Sequence, residues 1–285
     1  MAIITLTTDF GYSDANVGIL KGIIYAINPD AQVIDITHQL EPRNILQGAF
    51  MLHTAHRHFP PGTVHLGLVG GGSSINKTAI CLEVPEVGVF VGQDNGLFSY
   101  ILDTYPNVIA RGLTNSLYFR EQTLNPFQEL DILGPVAAYL SRGVSVNEVG
   151  ISLYNSELLV LDDLKPKWET YFSRRVLVGK IVHIDNFGNI ISNIPGKMLE
   201  QYSEKVLDKV EVGASPLREA PFVGPSTVKT VGIKRTYSDV YNGKLIALIG
   251  NNGYLELVRV NGSAAFGKVA LVPLVEVGGH FAVQF

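Results

Sequence analysis

The chain is short of cysteine, of charge and of long apolar runs, and each shortage excludes something. Cys81 is the only cysteine in 285 residues, so no internal disulfide can form. The N-terminus carries no basic-then-apolar leader pattern, and the expected compartment is the cytoplasm. Cys81 lies in the apolar run AICLEV and reads as a small buried hydrophobe. Charged residues make up 17% of the chain and the net charge is −4, which leaves no electrostatic footprint for nucleic acid. No apolar stretch reaches the ~18 residues of a membrane span. The familiar catalytic signatures are missing too. There is no G-x-S-x-G elbow, no P-loop ending and no spaced dinucleotide fingerprint. No spacing argues for a metal: His53, His56 and His58 in HTAHRH read as a solvated helix face rather than a zinc site.

Apolar residues are plentiful, at 46%, and they are arranged with changing period. Up to about residue 150, strand and helix patterns alternate. AIITLTTDF, AQVIDITH, TVHLGLV, AICLEV and GVFVG read as strands. ANVGILKGIIYAI sets Val17, Leu20, Ile24 and Ile27 at helical spacing, and NILQGAFMLHTAHRHF, NGLFSYIL and DILGPVAAYLSRG read as further helices. Beyond about residue 175 the runs are short and β-rich, separated by NFGN, NNG and NG turns. The expectation is an α/β fold: an N-terminal domain (1–155) with a mostly parallel sheet and flanking helices, a linker (156–174), and a smaller C-terminal antiparallel β-barrel or sandwich (175–285).

Ligands of parallel sheets collect at the carboxyl ends of the strands, and polar residues gather at those ends here. Asp9 follows the first strand, and a carboxylate there can accept hydrogen bonds from a ribose diol. Asp14 reads as a helix N-cap or as a ligand group. The GGGSS loop with Ser73 lets the backbone approach a ligand closely, and Lys77 follows it. Asp94 and Asn95 form a capping turn or a second ligand contact. In HIDNFGNIISN, Asp185, Asn186, Asn189 and Asn193 surround Phe187. An aromatic ring beside amides suits the face and edges of a purine. Asn251, Asn252 and Arg259 repeat the theme.

Taken together, TDFGYSDANVGILKG, FPPGTVHLGLV, FVGQDNGLFSY, DILGPVAAYL, HIDNFGNIISNI and NNGYLELV resemble the S-adenosylmethionine hydroxide adenosyltransferase family, relatives of the S-adenosylmethionine-dependent fluorinase and chlorinase. The resemblance implies S-adenosyl-L-methionine as substrate, no metal, and a homotrimer. Each site would lie between the N-terminal domain of one subunit and the C-terminal domain of its neighbour. It implies that Asp9 holds the ribose hydroxyls. Asp185, Phe187, Asn189, Asn252 and Arg259 would surround the adenine and methionine portions, Phe127 would lie near the reacting carbon, and Asp14 would contribute more weakly.

The hydroxide-using members handle water with an Asp in a VVDPGVG loop, an Arg seven residues later and a His in TFHGRD. This sequence departs at all three places. Gly70 stands for the Asp, Lys77 for the Arg and Gln128 for the His, while Glu129 replaces the small residue that follows and Gln93 the proline of PDNG. Glu129 or Lys77, with Gln128 and Ser73, are therefore the candidates to manage the nucleophile. The resemblance implies displacement at the ribose C5′ giving adenosine and L-methionine. The alternatives are a nucleoside-binding homologue with little turnover, or a halide adenosyltransferase, which the carboxylate of Glu129 disfavours because it would repel a desolvated anion.

Overall fold

A computed structural model describes residues 2–70, 78–120, 129–162, 164–171, 173–216, 227–236, 241–265 and 275–285. It divides into two compact units, Met1–Leu161 and Asp162–Phe285.

The first unit runs β1 (Ile3–Thr8), α1 (Asn16–Ile27), β2 (Gln32–Thr37), α2 (Ile45–Ala55), β3 (Thr63–Leu68), β4 (Ala79–Val84), β5 (Gly88–Gln93), α3 (Ser99–Thr104), β6 (Ile109–Leu113), α4 (Gly134–Ser141) and β7 (Gly150–Leu153). These strands form one seven-stranded sheet in the order β2-β1-β3-β5-β4-β6-β7. The block β2-β1-β3-β5 is parallel; β4 runs against β5 and β6, and β7 against β6. Helix α1 buries Val17, Leu20 and Ile24, the residues its period singles out. Leu20 and Ile24 share a core with Ile4, Leu6, Leu66 and the α4 residues Val136 and Ala137. Truncating a side chain such as Leu20 to Ala costs about 2–5 kcal/mol. A second core on the other face joins Leu52, Phe90, Leu97 and Phe98.

Two local expectations change. The helix expected from DILGPVAAYL begins as a wide π-turn, Glu129–Leu133, before α4. His53 and His56 are not on a solvated face: they are 7% and 2% exposed. His56 Nε2 lies 2.9 Å from Tyr105 Oη and its Nδ1 3.0 Å from the Leu52 carbonyl, while the His53 ring stacks on Tyr100. Aromatic neighbours and backbone carbonyls supply what water would. Cys81 is buried as expected, and burial pushes its thiol up to about 12.

The second unit contains β8 (Lys167–Tyr171), β9 (Arg174–Ile184), β10 (Ile190–Pro195), the short helix α5 (Glu204–Leu207), β11 (Glu211–Ser215), β12 (Val228–Val231), β13 (Ile233–Lys234), β14 (Leu245–Ile249), β15 (Tyr254–Arg259) and β16 (His280–Gln284). The strand path is β12-β11-β16-β9-β10-β15-β14-β13, with β8 also on β9. Thr230 Oγ1 donates to the Leu245 carbonyl at 2.9 Å, which brings β12 to β14 and nearly closes a barrel. Strand β8 falls within the expected linker (156–174). It is held by a hairpin to β9 and by Trp168, which packs against Phe285 and lies under the Arg175 guanidinium at 4.1 Å.

Candidate functional site

Strand β1 lies between β2 and β3. The chain thus leaves β1 to one side and returns on the other, and such a switch point opens a crevice at the carboxyl ends of the strands. Asp9 stands there. Its Oδ2 accepts from the backbone N–H of Arg43 at 2.8 Å and of Gly70 at 3.0 Å. Its Oδ1 has no hydrogen-bond partner among the described residues. A carboxylate oxygen carries two lone pairs, enough for both hydroxyls of a vicinal diol.

The loops that converge on Asp9 are held in demanding conformations. Arg43 has φ 64° and Gly70 φ 81°, left-handed values that cost a residue with a Cβ. A Cβ on Gly70 would stand 2.2 Å from Ile45 Cδ1, the tip of a side chain that can move aside, so the left-handed backbone is the main demand for glycine here. Beneath the crevice a chain of polar groups, buried at Thr8 and His38 and partly exposed at Asp35 and Lys21, braces the end of β1. Thr8 Oγ1 is 2.8 Å from His38 Nδ1, His38 Nε2 is 3.2 Å from Asp35 Oδ1, and Lys21 Nζ donates to Asp35 Oδ2 at 2.7 Å. Burial works to raise the Asp35 carboxyl, but Lys21 and His38 outweigh it and hold the group below its ordinary range.

Asn95 belongs to the same edge. Its Nδ2 donates to the Val69 carbonyl at 2.9 Å and its Oδ1 accepts from Leu97 N–H, so it braces the loop that carries Gly70. Asp94 faces another way: its Oδ1 accepts from Leu159 N–H at 2.9 Å, and burial raises its carboxyl although that bond works in the opposite direction. Immediately before Asp94, Gln93 ends β5 and its Nε2 donates to Glu129 Oε1 at 3.1 Å; the two residues are 5% and 3% exposed. Asp14 is exposed and makes no capping bond. The α1 N-cap is Ala15, with no side-chain contribution, and Asp14 instead lines an open depression of about 620 Å³ with Tyr12, Val17 and Lys21. Ser73, Lys77, Phe127 and Gln128 lie outside the described residues.

In the second unit, Asp185 organises the turn between β9 and β10. Its Oδ1 accepts from Phe187 N–H and Asn189 N–H, and its Oδ2 from Asn189 Nδ2. The turn presents Phe187 at 77% exposure, an exposed aromatic ring on a hydrogen-bonded mount. Gly188, at φ 77°, backs onto Ser263, and its carbonyl accepts from Ala264 and Ala265 N–H. Arg259 clamps the same end, donating from Nε to the Ser263 carbonyl and from Nη1 to the Gly243 carbonyl. Asn252 is not with them. It sits at the other end of β15, where its Oδ1 accepts from Tyr254 N–H. Asn193 braces β9 from within, accepting from Lys180 N–H.

Glu256 lies on β15 between these two turns, and the sequence reading missed it. It is 6% exposed, and burial, with the charge of Asp185, pushes its carboxyl up to about 7. The signal available was an acid in the middle of an apolar strand, YLELVR. Among the described residues, no group of three or more His, Cys, Asp or Glu is placed to hold a metal, and no helix is long and apolar enough to cross a membrane.

A parallel-strand switch point with a carboxylate at its crevice, joined in one chain to a small β-barrel unit bearing an exposed aromatic turn, defines a two-unit α/β class of protein. Comparison with known proteins narrows the class. The SAM hydroxide adenosyltransferase N-terminal domain matches residues 4–150 and its C-terminal domain residues 179–267. A Methanocaldococcus jannaschii protein named (R)-S-adenosyl-L-methionine hydrolase is 30% identical, covering 92% of this chain and 90% of its own. A Nocardia brasiliensis fluorinase is 23% identical over 93% of this chain and 92% of its own. The crystal structure of an uncharacterized conserved protein from Thermotoga maritima superposes with a TM-score of 0.80 at 30% identity, covering 99% of both chains. The chain belongs to the SAM hydroxide adenosyltransferase family.

Proposed function

We propose that this protein cleaves S-adenosyl-L-methionine at the ribose C5′ to give adenosine and L-methionine. The observation that carries the reading is Asp9, fixed through Oδ2 at the switch point with Oδ1 left to a diol. The hydrolase names of relatives such as the M. jannaschii protein support it. The chemistry asks little of the protein at the leaving group. The sulfonium departs as a neutral thioether without a proton. What remains is to exclude bulk water and to aim one nucleophile along the line opposite sulfur. Asp9 holds the ribose, Phe187 offers a face to the adenine, and Asp185 and Asn189 keep that face in place.

We further propose that the working species is a cytoplasmic homotrimer in which the Asp9 edge of one copy meets the Phe187 turn of another. Each half offers part of a nucleoside site. Light scattering checks the assembly, and a monomer that still turns over would exclude it.

Incubation of the purified protein with S-adenosyl-L-methionine, with and without chloride or fluoride, and chromatography of the products tests the reaction. Adenosine in all mixtures is the expected result. A 5′-halo-adenosine would overturn hydrolysis in favour of halide transfer. That outcome is disfavoured because Glu129, a carboxylate only 3% exposed, stands in the halide users' place for a small residue. A second reading, nucleoside binding with little turnover, draws on Gly70, which has no side chain where the hydroxide users carry an acid. A thermal shift with adenosine and no product would support it.

A further inference from the structure

We infer that Gln93 and Glu129 form the seat of the attacking water, with Gln93 as the residue that orients it. The inference rests on the hydrolase reading and adds to it a residue that the sequence marked only as a replaced proline. Gln93 closes β5 at the same carboxyl edge as Asp9. In the order β1-β3-β5 it stands two strand spacings from β1, about 10 Å across. Its amide is fixed: Nε2 donates to Glu129 Oε1 at 3.1 Å, so the amide cannot turn over without losing that bond. Its Oε1 is buried and has no hydrogen-bond partner among the described residues. A buried carbonyl oxygen without a donor is costly and unusual, and it calls for a donor that arrives with the ligand. Glu129 opens the π-turn before α4, an irregularity that recurs at functional sites.

The pair is selective by its chemistry. An amide oxygen and a carboxylate are both acceptors. Water satisfies them by donating one hydrogen to each, and this turns its lone pair outward. A halide has nothing to donate and is repelled by both. In the reaction, the water lone pair forms the O–C5′ bond and the C5′–S bond breaks with its electrons going to sulfur, which becomes a neutral thioether. The water proton passes to the Glu129 carboxylate and from there to solvent. Gln93 forms and breaks no covalent bond; it sets the direction of the lone pair.

The test compares wild type with Gln93→Met, equal in length but lacking the amide, and Gln93→Asn, which keeps the amide but retracts its oxygen. Reactions are run in 18O-water, and adenosine affinity is measured by calorimetry. The expected result is 18O in the adenosine 5′-hydroxyl and kcat about a hundredfold lower in the Met variant. The Asn variant should lie between, with KM and adenosine affinity within about twofold of wild type in both. A kcat for Gln93→Met within about threefold of wild type, or kcat and adenosine affinity falling together, overturns the inference. If wild type binds adenosine yet incorporates no 18O, the water seat falls while the nucleoside site stands. If adenosine does not bind at all, the hydrolase reading falls and takes this inference with it.

Discussion

Each unit of the molecule carries an aspartate whose carboxylate is held by backbone N–H groups, and the two are held in opposite ways. Asp9 gathers Arg43 and Gly70, which are 34 and 61 residues away along the chain. Asp185 gathers Phe187 and Asn189, two and four residues away. The first arrangement exists only when three strands have assembled in parallel. The second is a local turn that needs little beyond its own sequence. The contrast teaches where specificity and robustness reside: the Asp9 crevice is a product of the tertiary fold, and the Phe187 turn is a preformed local mount.

The largest effect that contrast predicts is at Asp9. Asp9→Ala removes the acceptor for two backbone donors and, with it, the proposed diol contact. Hydrogen bonds to a charged group are worth about 1.5–3 kcal/mol each, so adenosine affinity should fall about a hundredfold or more. The unit should also lose about 2 kcal/mol of stability as the Arg43 and Gly70 loops come loose. Calorimetry and urea unfolding read the two losses. A variant that binds adenosine normally would separate Asp9 from the ribose.

The same contrast explains what the sequence disclosed. The α1 stripe of Val17, Leu20 and Ile24 and the β9–β10 hairpin around DNFGN are local patterns, legible because period and turn chemistry act over a few residues. The strand order that sets β1 between β2 and β3 is a long-range fact, and no local pattern encodes it. Asp14 looked like a cap because Asp precedes a helical run, yet the helix starts beyond Ala15 without a side-chain cap. His53 and His56 looked solvated because histidine is polar; packing against Tyr100 and Tyr105 decided otherwise. Gln93 and Glu129 meet across 36 residues, and their partnership cannot be seen in either segment alone.

Glu256 in the second unit and His65 in the first respond to pH with opposite sign. Glu256 has its carboxyl raised to about 7 by burial and by Asp185. The folded state therefore holds a proton that the unfolded state releases near its ordinary value, and stability falls as pH rises through that window. Glu256→Gln should stabilise the protein by about 3 kcal/mol at pH 8, with the gain fading toward pH 5. Equal melting curves at pH 8 would refute a buried, reluctant carboxylate.

In the first unit the sign reverses. Burial holds the His65 imidazole down at about 3 and lowers His56 as well, so the unfolded state takes protons more readily. Their contribution is complete above the ordinary histidine value and is lost as pH falls below it. His65 alone should cost about 2 kcal/mol by pH 5. In the second unit, burial also lowers His183, but there the charge of Asp185 works against the shift. Peptide-resolved amide exchange at pH 7.5 and 5 should show acid loosening the sheet around β3 more than the sheet around β9. Equal loosening would remove the distinction.

The smallest effect is the most discriminating. Asp185→Ala removes three local hydrogen bonds from an exposed turn and should cost only about 1 kcal/mol of stability, because water replaces much of what is lost. Asp185 also raises the Glu256 carboxyl, so its removal relieves part of the penalty that Glu256 incurs when ionised. At pH 8 that relief offsets some of the cost; at pH 5 Glu256 is protonated in the folded state and there is nothing to relieve. Asp185→Ala should therefore be more damaging at pH 5 than at pH 8, and in a Glu256→Gln background the difference should shrink to what His183, whose imidazolium Asp185 also favours, contributes. A cost that is independent of pH in both backgrounds would show that the two carboxylates do not sense one another, and that the turn on which Phe187 stands is electrostatically separate from the strand behind it.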